Sequence, residues 1–85
     1  MQLQLRYFAG LREVLGLSAE QVTLPATCSC VQDILAALRL RGGIWAEALA
    51  DGAAFRIAVD QRMADASSPV RSGAEVAFFP PVTGG

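Results

Sequence analysis

The chain has 85 residues, which allow one domain and leave no room for a second. Hydrophobic residues make up 53%, the formal net charge is −1 and the isoelectric point is near 5.1, a balance that argues against a nucleic-acid partner. No apolar run approaches the roughly 20 residues needed to cross a bilayer, and MQLQLRYF lacks the pattern of a signal peptide, so a cytoplasmic location is expected.

Mean hydropathy is +0.39, high for a domain expected to bury only about 60–65% of its unfolded surface, so some apolar surface should remain exposed for partners. All seven basic residues are arginine, which leaves no lysine for an isopeptide bond or a Schiff base. There is no histidine. The cysteines, Cys28 and Cys30, cannot supply the usual four zinc ligands, and a bridge between them would be strained, so no bound metal is expected. They read as two small residues around a helix start, with a redox or persulfide role as the alternative.

Residues 2–8, QLQLRYF, alternate as a half-buried strand with Leu3, Leu5 and Tyr7 on one face. Leu11, Val14 and Leu15 follow helical spacing, with Arg12 and Glu13 turned outward and Gly16 as the stop. Gln21–Leu24 reads as a second strand closed by Pro25. The main helix follows. Ser29-Cys30-Val31-Gln32 fits a capping box, Asp33 sits in the first turn, and Val31, Ile34, Leu35 and Leu38 form one apolar stripe. Arg39 and Arg41 are placed in its last turn, and Gly42-Gly43 end it. The stretch LRLRGG at 38–43 spells the tail of ubiquitin, but mid-chain its carbonyl is an ordinary peptide, and a helix stop is the better account.

Ile44–Leu49 reads as a short crossover with Trp45 and Leu49 buried. Phe55, Ile57 and Val59 alternate as a strand, Asp60-Gln61 turns, and Arg62–Ala64 makes a short strand. Glu75–Phe79 is the last strand, with Val76 and Phe78 facing opposite to Ala77 and Phe79, and Phe79 taken as the exposed phenylalanine. The order is α+β. A mixed sheet of about five strands, with the first and last paired in parallel at its centre, wraps over one main helix in the β-grasp, ubiquitin-like arrangement.

Residues 1–79 then form the domain and 80–85 an extended tail. Pro80 and Pro81 cannot donate to a β-ladder, so the sheet should stop there and the chain leave stiffly. The four residues after Pro81 reach about 13–14 Å when extended, enough to enter a neighbouring active site. Glycines at 84 and 85 fit a narrow channel and leave a carboxylate at Gly85 unhindered for activation by ATP and replacement of AMP by sulfur.

The closing SGAEVAFFPPVTGG at 72–85, and less specifically RYFAGLREVLG at 6–16, resemble the small-subunit family of molybdopterin synthase, the sulfur carriers of molybdenum-cofactor synthesis. The resemblance implies a non-catalytic, sulfur-carrying subunit of a transferase. Gly85 would be adenylated by an ATP-dependent activating enzyme similar to those that activate ubiquitin, then converted to a thiocarboxylate with sulfur from a donor protein. The tail, Pro80, Pro81, Val82, Thr83, Gly84 and Gly85, would enter the large synthase subunit and give its sulfur to a cyclic pyranopterin phosphate, within a heterotetramer. Phe78 and Phe79 would lie on the docking surface, with Arg12 and Glu13 adding polar partner contacts. The resemblance implies no cofactor bound by this chain itself; ATP belongs to the activating enzyme. The family often has Gly-Asp-Glu where this chain has Gly73-Ala74-Glu75, and Asn where it has Asp60. A sulfur carrier of another pathway, such as thiamine synthesis, and a ubiquitin-like protein modifier are the alternatives.

Overall fold

The alternation of leucines with glutamines at the start of the chain produces a strand with one dry face. In the computed structural model, which describes residues 1–81, this is β1 (Gln2–Tyr7), with Leu3, Leu5 and Tyr7 buried and Gln2, Gln4 and Arg6 exposed. The chain continues through α1 (Ala9–Leu15), β2 (Ala19–Thr23), α2 (Val31–Arg39), α3 (Ile44–Ala48), β3 (Arg56–Val59), β4 (Arg62–Ala64) and β5 (Glu75–Phe79). The strands form one sheet in the order β2-β1-β5-β3-β4. The chain's first and last strands are neighbours at its centre and parallel, and the other pairings are antiparallel. This is the β-grasp expected. A parallel pair needs a long crossover, and the helices between β1 and β5 provide it.

One core lies between the sheet and α2. Val31, Ile34, Leu35 and Leu38, the apolar stripe of α2, pack against Leu3, Leu5, Tyr7, Ile57, Val76 and Phe78, and Leu49 closes the far side. Three aromatic rings stiffen it: Tyr7 stacks on Phe78 with centroids 5.5 Å apart, and Trp45 meets Tyr7 edge-on at 5.4 Å.

Several boundaries differ from expectation for local reasons. Strand β2 begins at Ala19 rather than Gln21, because its antiparallel register with β1 runs out to Arg6↔Ala19. The cap of α2 is Cys30, not Ser29. The Asp33 carboxylate accepts from the Ser29 and Cys30 amides at 2.9 and 3.3 Å, so the negative charge in the first turn, and not Gln32, holds the helix start. Helix α2 ends at Arg39, which leaves Arg41 beyond it. The cap of α2 is Leu40 in a right-handed conformation and not the glycine doublet expected to end the helix; Gly42 and Gly43, at φ of +75° and +54°, instead make the reversal into α3. Phe55 precedes β3 instead of opening it, yet still packs against the core. Val14, assigned to the apolar side of α1, is 51% exposed.

Arg41 is used in a way its position in the sequence does not suggest. Its guanidinium makes a two-pronged contact with Glu20 on β2, at 2.8 and 2.9 Å, and lies 4.4 Å from the centre of the Trp45 ring. The Tyr7 hydroxyl donates to the same Glu20 carboxylate at 2.8 Å. These donors hold Glu20 below the usual carboxylate range, with the Arg41 hydrogen bonds the largest cause. Tyr7 is pushed well above the ordinary phenol value, first by burial and then by the adjacent carboxylate. One carboxylate thus ties β1, β2 and the glycine turn together.

Candidate functional site

The strand period of two gives the sheet a second face, turned away from α2, and its composition differs sharply from the core's. Strand register defines it. Arg6 lies beside Ala77, Ala77 beside Ala58 and Ala58 beside Met63, while Arg56 lies beside Phe79. Phe8, one step beyond β1, joins this face, and the Arg6 guanidinium sits 5.5 Å from its ring centre. The result is an apolar surface of Phe8, Phe79, Ala77 and Met63 around a buried Ala58. Phe8 is 41% and Met63 59% exposed, and Phe79 is half-buried. None of the five belongs to the core cluster or packs against it.

The backbone around Phe8 is fixed unusually firmly. Its amide donates to the Phe78 carbonyl at 3.0 Å, and its own carbonyl accepts from the Leu11 and Arg12 amides at the start of α1. Ala9 has a φ of +51°, a left-handed conformation that is costly for a residue with a Cβ. The turn from β1 into α1 at this residue sets Phe8 on the outer face next to the end of β5.

The two consecutive phenylalanines of β5 therefore part company. Phe78 is fully buried between Tyr7 and Phe55, so it cannot be the docking residue expected of it; alternation sends it into the core. Phe79 takes the outer face, as expected. Arg12 and Glu13 are both exposed on α1, and none of the hydrogen bonds or ion pairs among the described residues engages their side chains. Phe8 and Met63 were not anticipated. The alternation read over residues 2–8 already set Phe8 opposite the side of Tyr7, although pairing in β1 stops at Tyr7. Met63 becomes legible only once β4 is registered against β3.

Strand pairing ends at Phe79, opposite Arg56, and Pro80 and Pro81 follow, as their missing amides dictate. Here the chain passes between two open grooves. One, of about 510 Å³, lies between α1 and α3, walled by Leu11, Val14, Ile44 and Ala48, and includes Pro80. The other, of about 530 Å³, includes Pro81 and is walled by Leu35 and Arg39 of α2 with Phe55 and Met63. The remaining expected site residues, Val82, Thr83, Gly84 and Gly85, lie outside the described residues. Among the described residues no cluster of three or more His, Cys, Asp or Glu could hold a metal, and no helix is long and apolar enough to cross a membrane.

Comparison with known proteins agrees with the fold. Residues 5–85 match the ThiS family. The molybdopterin synthase sulfur carrier subunit of Haemophilus influenzae is 40% identical over 84 residues, which cover 98% of this chain and 99% of the relative. A small archaeal modifier protein from Haloferax volcanii superposes with a TM-score of 0.78 at 27% identity, over 100% of both chains. The complex of subunits 1 and 2 of the molybdopterin-converting factor from Helicobacter pylori contains a chain that shares the fold. That chain has a TM-score of 0.68 at 21% identity, and 100% of each chain is covered.

Proposed function

The chain belongs to the ThiS family, with the molybdopterin synthase sulfur carrier subunits among its relatives, and from that premise we propose that it carries sulfur for molybdopterin synthesis. The observation that carries the reading is the 40% identity to such a subunit over 99% of that subunit's length. The outer sheet face supports it. An apolar surface rooted in Phe79 leads directly into the proline pair from which the tail departs, so a partner that docks there receives the tail at the same time.

In the proposed cycle the Gly85 carboxylate attacks the α-phosphorus of ATP on an activating enzyme, releasing pyrophosphate and leaving an acyl-adenylate. A persulfide on a donor protein attacks the acyl carbon and displaces AMP, and a second thiol cleaves the resulting acyl disulfide, leaving a thiocarboxylate and a disulfide on the donor side. In the large synthase subunit the sulfur passes to a cyclic pyranopterin phosphate, and water restores the carboxylate. This chain contributes the reacting terminus and the docking face; the acids and bases that move protons belong to its partners. Bare glycines at 84 and 85 suit a channel too narrow for a Cβ.

Intact-mass measurement after incubation with the activating enzyme, ATP and a sulfur donor tests this: one terminal oxygen should be exchanged for sulfur. Deleting Gly84 and Gly85 should abolish sulfur transfer, and retained transfer would overturn the reading. The likeness to an archaeal modifier protein favours a second reading, conjugation through Gly85 to a lysine of another protein. An isopeptide adduct recovered from cells would support that one instead.

A further inference from the structure

The large apolar side chains left in water are gathered in two patches that meet at the root of the tail. Among the described residues these side chains are Phe8, Val14, Leu40, Ile44 and Met63. Phe8 and Met63 belong to the outer sheet face, which ends at Phe79. Val14 and Ile44, 51% and 42% exposed, stand on the two helices that wall the groove between α1 and α3. Pro80, the next residue after β5, lines that same groove, so the second patch begins where the first one stops. Leu40, at the end of α2, lines neither groove. Among the described residues lining the α1–α3 groove, Glu47 alone is charged; it is exposed and takes part in none of the ion pairs.

We propose that the α1–α3 groove is a second docking site for the large synthase subunit, filled by an apolar side chain from the rim of the channel that receives the tail, with a lysine or arginine beside it to meet Glu47. The inference rests on the carrier reading and names a partner surface which that reading leaves open. Three physical points favour it. A channel that encloses the tail must have a rim around Pro80, and a rim there meets the groove as well as the outer face. The four apolar side chains of the outer face and the six residues from Pro80 to Gly85 fall well short of the roughly 20–30 residues a side of a stable interface, and the groove is the apolar surface continuous with them. Covering the groove takes Glu47 out of water, and a carboxylate buried without a partner is strongly unfavourable, so the covering surface must bring a cation.

The test is the affinity of the full chain for the large synthase subunit from the same source, measured by calorimetric titration, with thermal melts to confirm that each variant is folded. Val14→Gln replaces an exposed residue by a good helix former, so the melt should hold while binding weakens about tenfold. Glu47→Lys should also weaken binding about tenfold, and by more at low salt than at high salt. Leu40→Gln removes an equally exposed apolar side chain outside the groove and should leave the affinity within about twofold of wild type. Unchanged affinity in Val14→Gln, or equal or tighter binding by Glu47→Lys, would overturn this inference alone. So would a dimer of the isolated chain, seen by sedimentation, that Val14→Gln dissociates, since the groove would then hold a second copy. Failure of the wild-type chain to bind the large subunit at any salt would overturn the carrier reading and this inference with it.

Discussion

Truncating the two neighbouring phenylalanines of β5 separates folding from docking. Phe78 has no exposed surface, stacks on Tyr7 at 5.5 Å and leans on Phe55 at 6.5 Å. Phe78→Ala removes a ring from a filled core, which costs about 3–5 kcal/mol through lost transfer energy and the cavity left behind. The Tyr7 stack supplies roughly 0.5–1.5 kcal/mol within that loss. Against the roughly 4–13 kcal/mol expected of a domain this size, the change consumes a large fraction and should lower the melting temperature by more than about 12 °C. Phe79 is half-buried, on the face away from the core, so Phe79→Ala should cost less than about 1.5 kcal/mol of stability. It should instead weaken binding to the large subunit by about 2 kcal/mol, near thirtyfold, as loss of an aromatic anchor at the centre of an interface does. Urea denaturation and calorimetric titration of both variants measure the two quantities. If Phe79→Ala melts as low as Phe78→Ala, or binds with unchanged affinity, the division of labour argued here is wrong.

Three further outcomes follow from the geometry. Ala9→Gly should stabilise the fold by about 1 kcal/mol in urea denaturation, since the φ of +51° costs a residue with a Cβ and costs glycine nothing. Gln61→Gly should also stabilise, by about 0.5–1 kcal/mol; Asp60 and Gln61 both have positive φ in the two-residue turn between β3 and β4, and Asp60 must be kept for its bond to the Glu75 amide. For Glu20, whose carboxyl titrates below the ordinary value of 4.5, the contribution to stability is fully present above that pH and is lost as pH falls through the lower folded value. Glu20→Gln should therefore lower stability at neutral pH and flatten its acid dependence below about pH 4.5, measured by urea midpoints across a pH series. An unchanged acid slope would show that Arg41 and Tyr7 do not hold this carboxylate in the fold.

The sequence by itself determined whatever depends on period and on neighbours in the chain. Alternation in QLQLRYF and EVAFF assigned Leu3, Leu5, Tyr7, Val76 and Phe78 to one side, the stripe of α2 identified the other half of the core, and the prolines marked where the sheet ends. The FFPPVTGG ending carried the family resemblance, because the chemistry expected of a bare glycine terminus needs no tertiary contact to be recognised. What remained hidden depends on residues far apart in the chain that strand pairing makes neighbours. Met63 joins Ala58 and Ala77 through register across three strands, and Arg41 reaches Glu20 across 21 positions. Phe8 was legible as the last residue of the alternating stretch, but its place in the site was not, because that is set by an Ala9 conformation that no propensity favours. Local sequence decides which face of a strand is dry, and only the assembled sheet decides which side chains share the other face and so what a partner meets there.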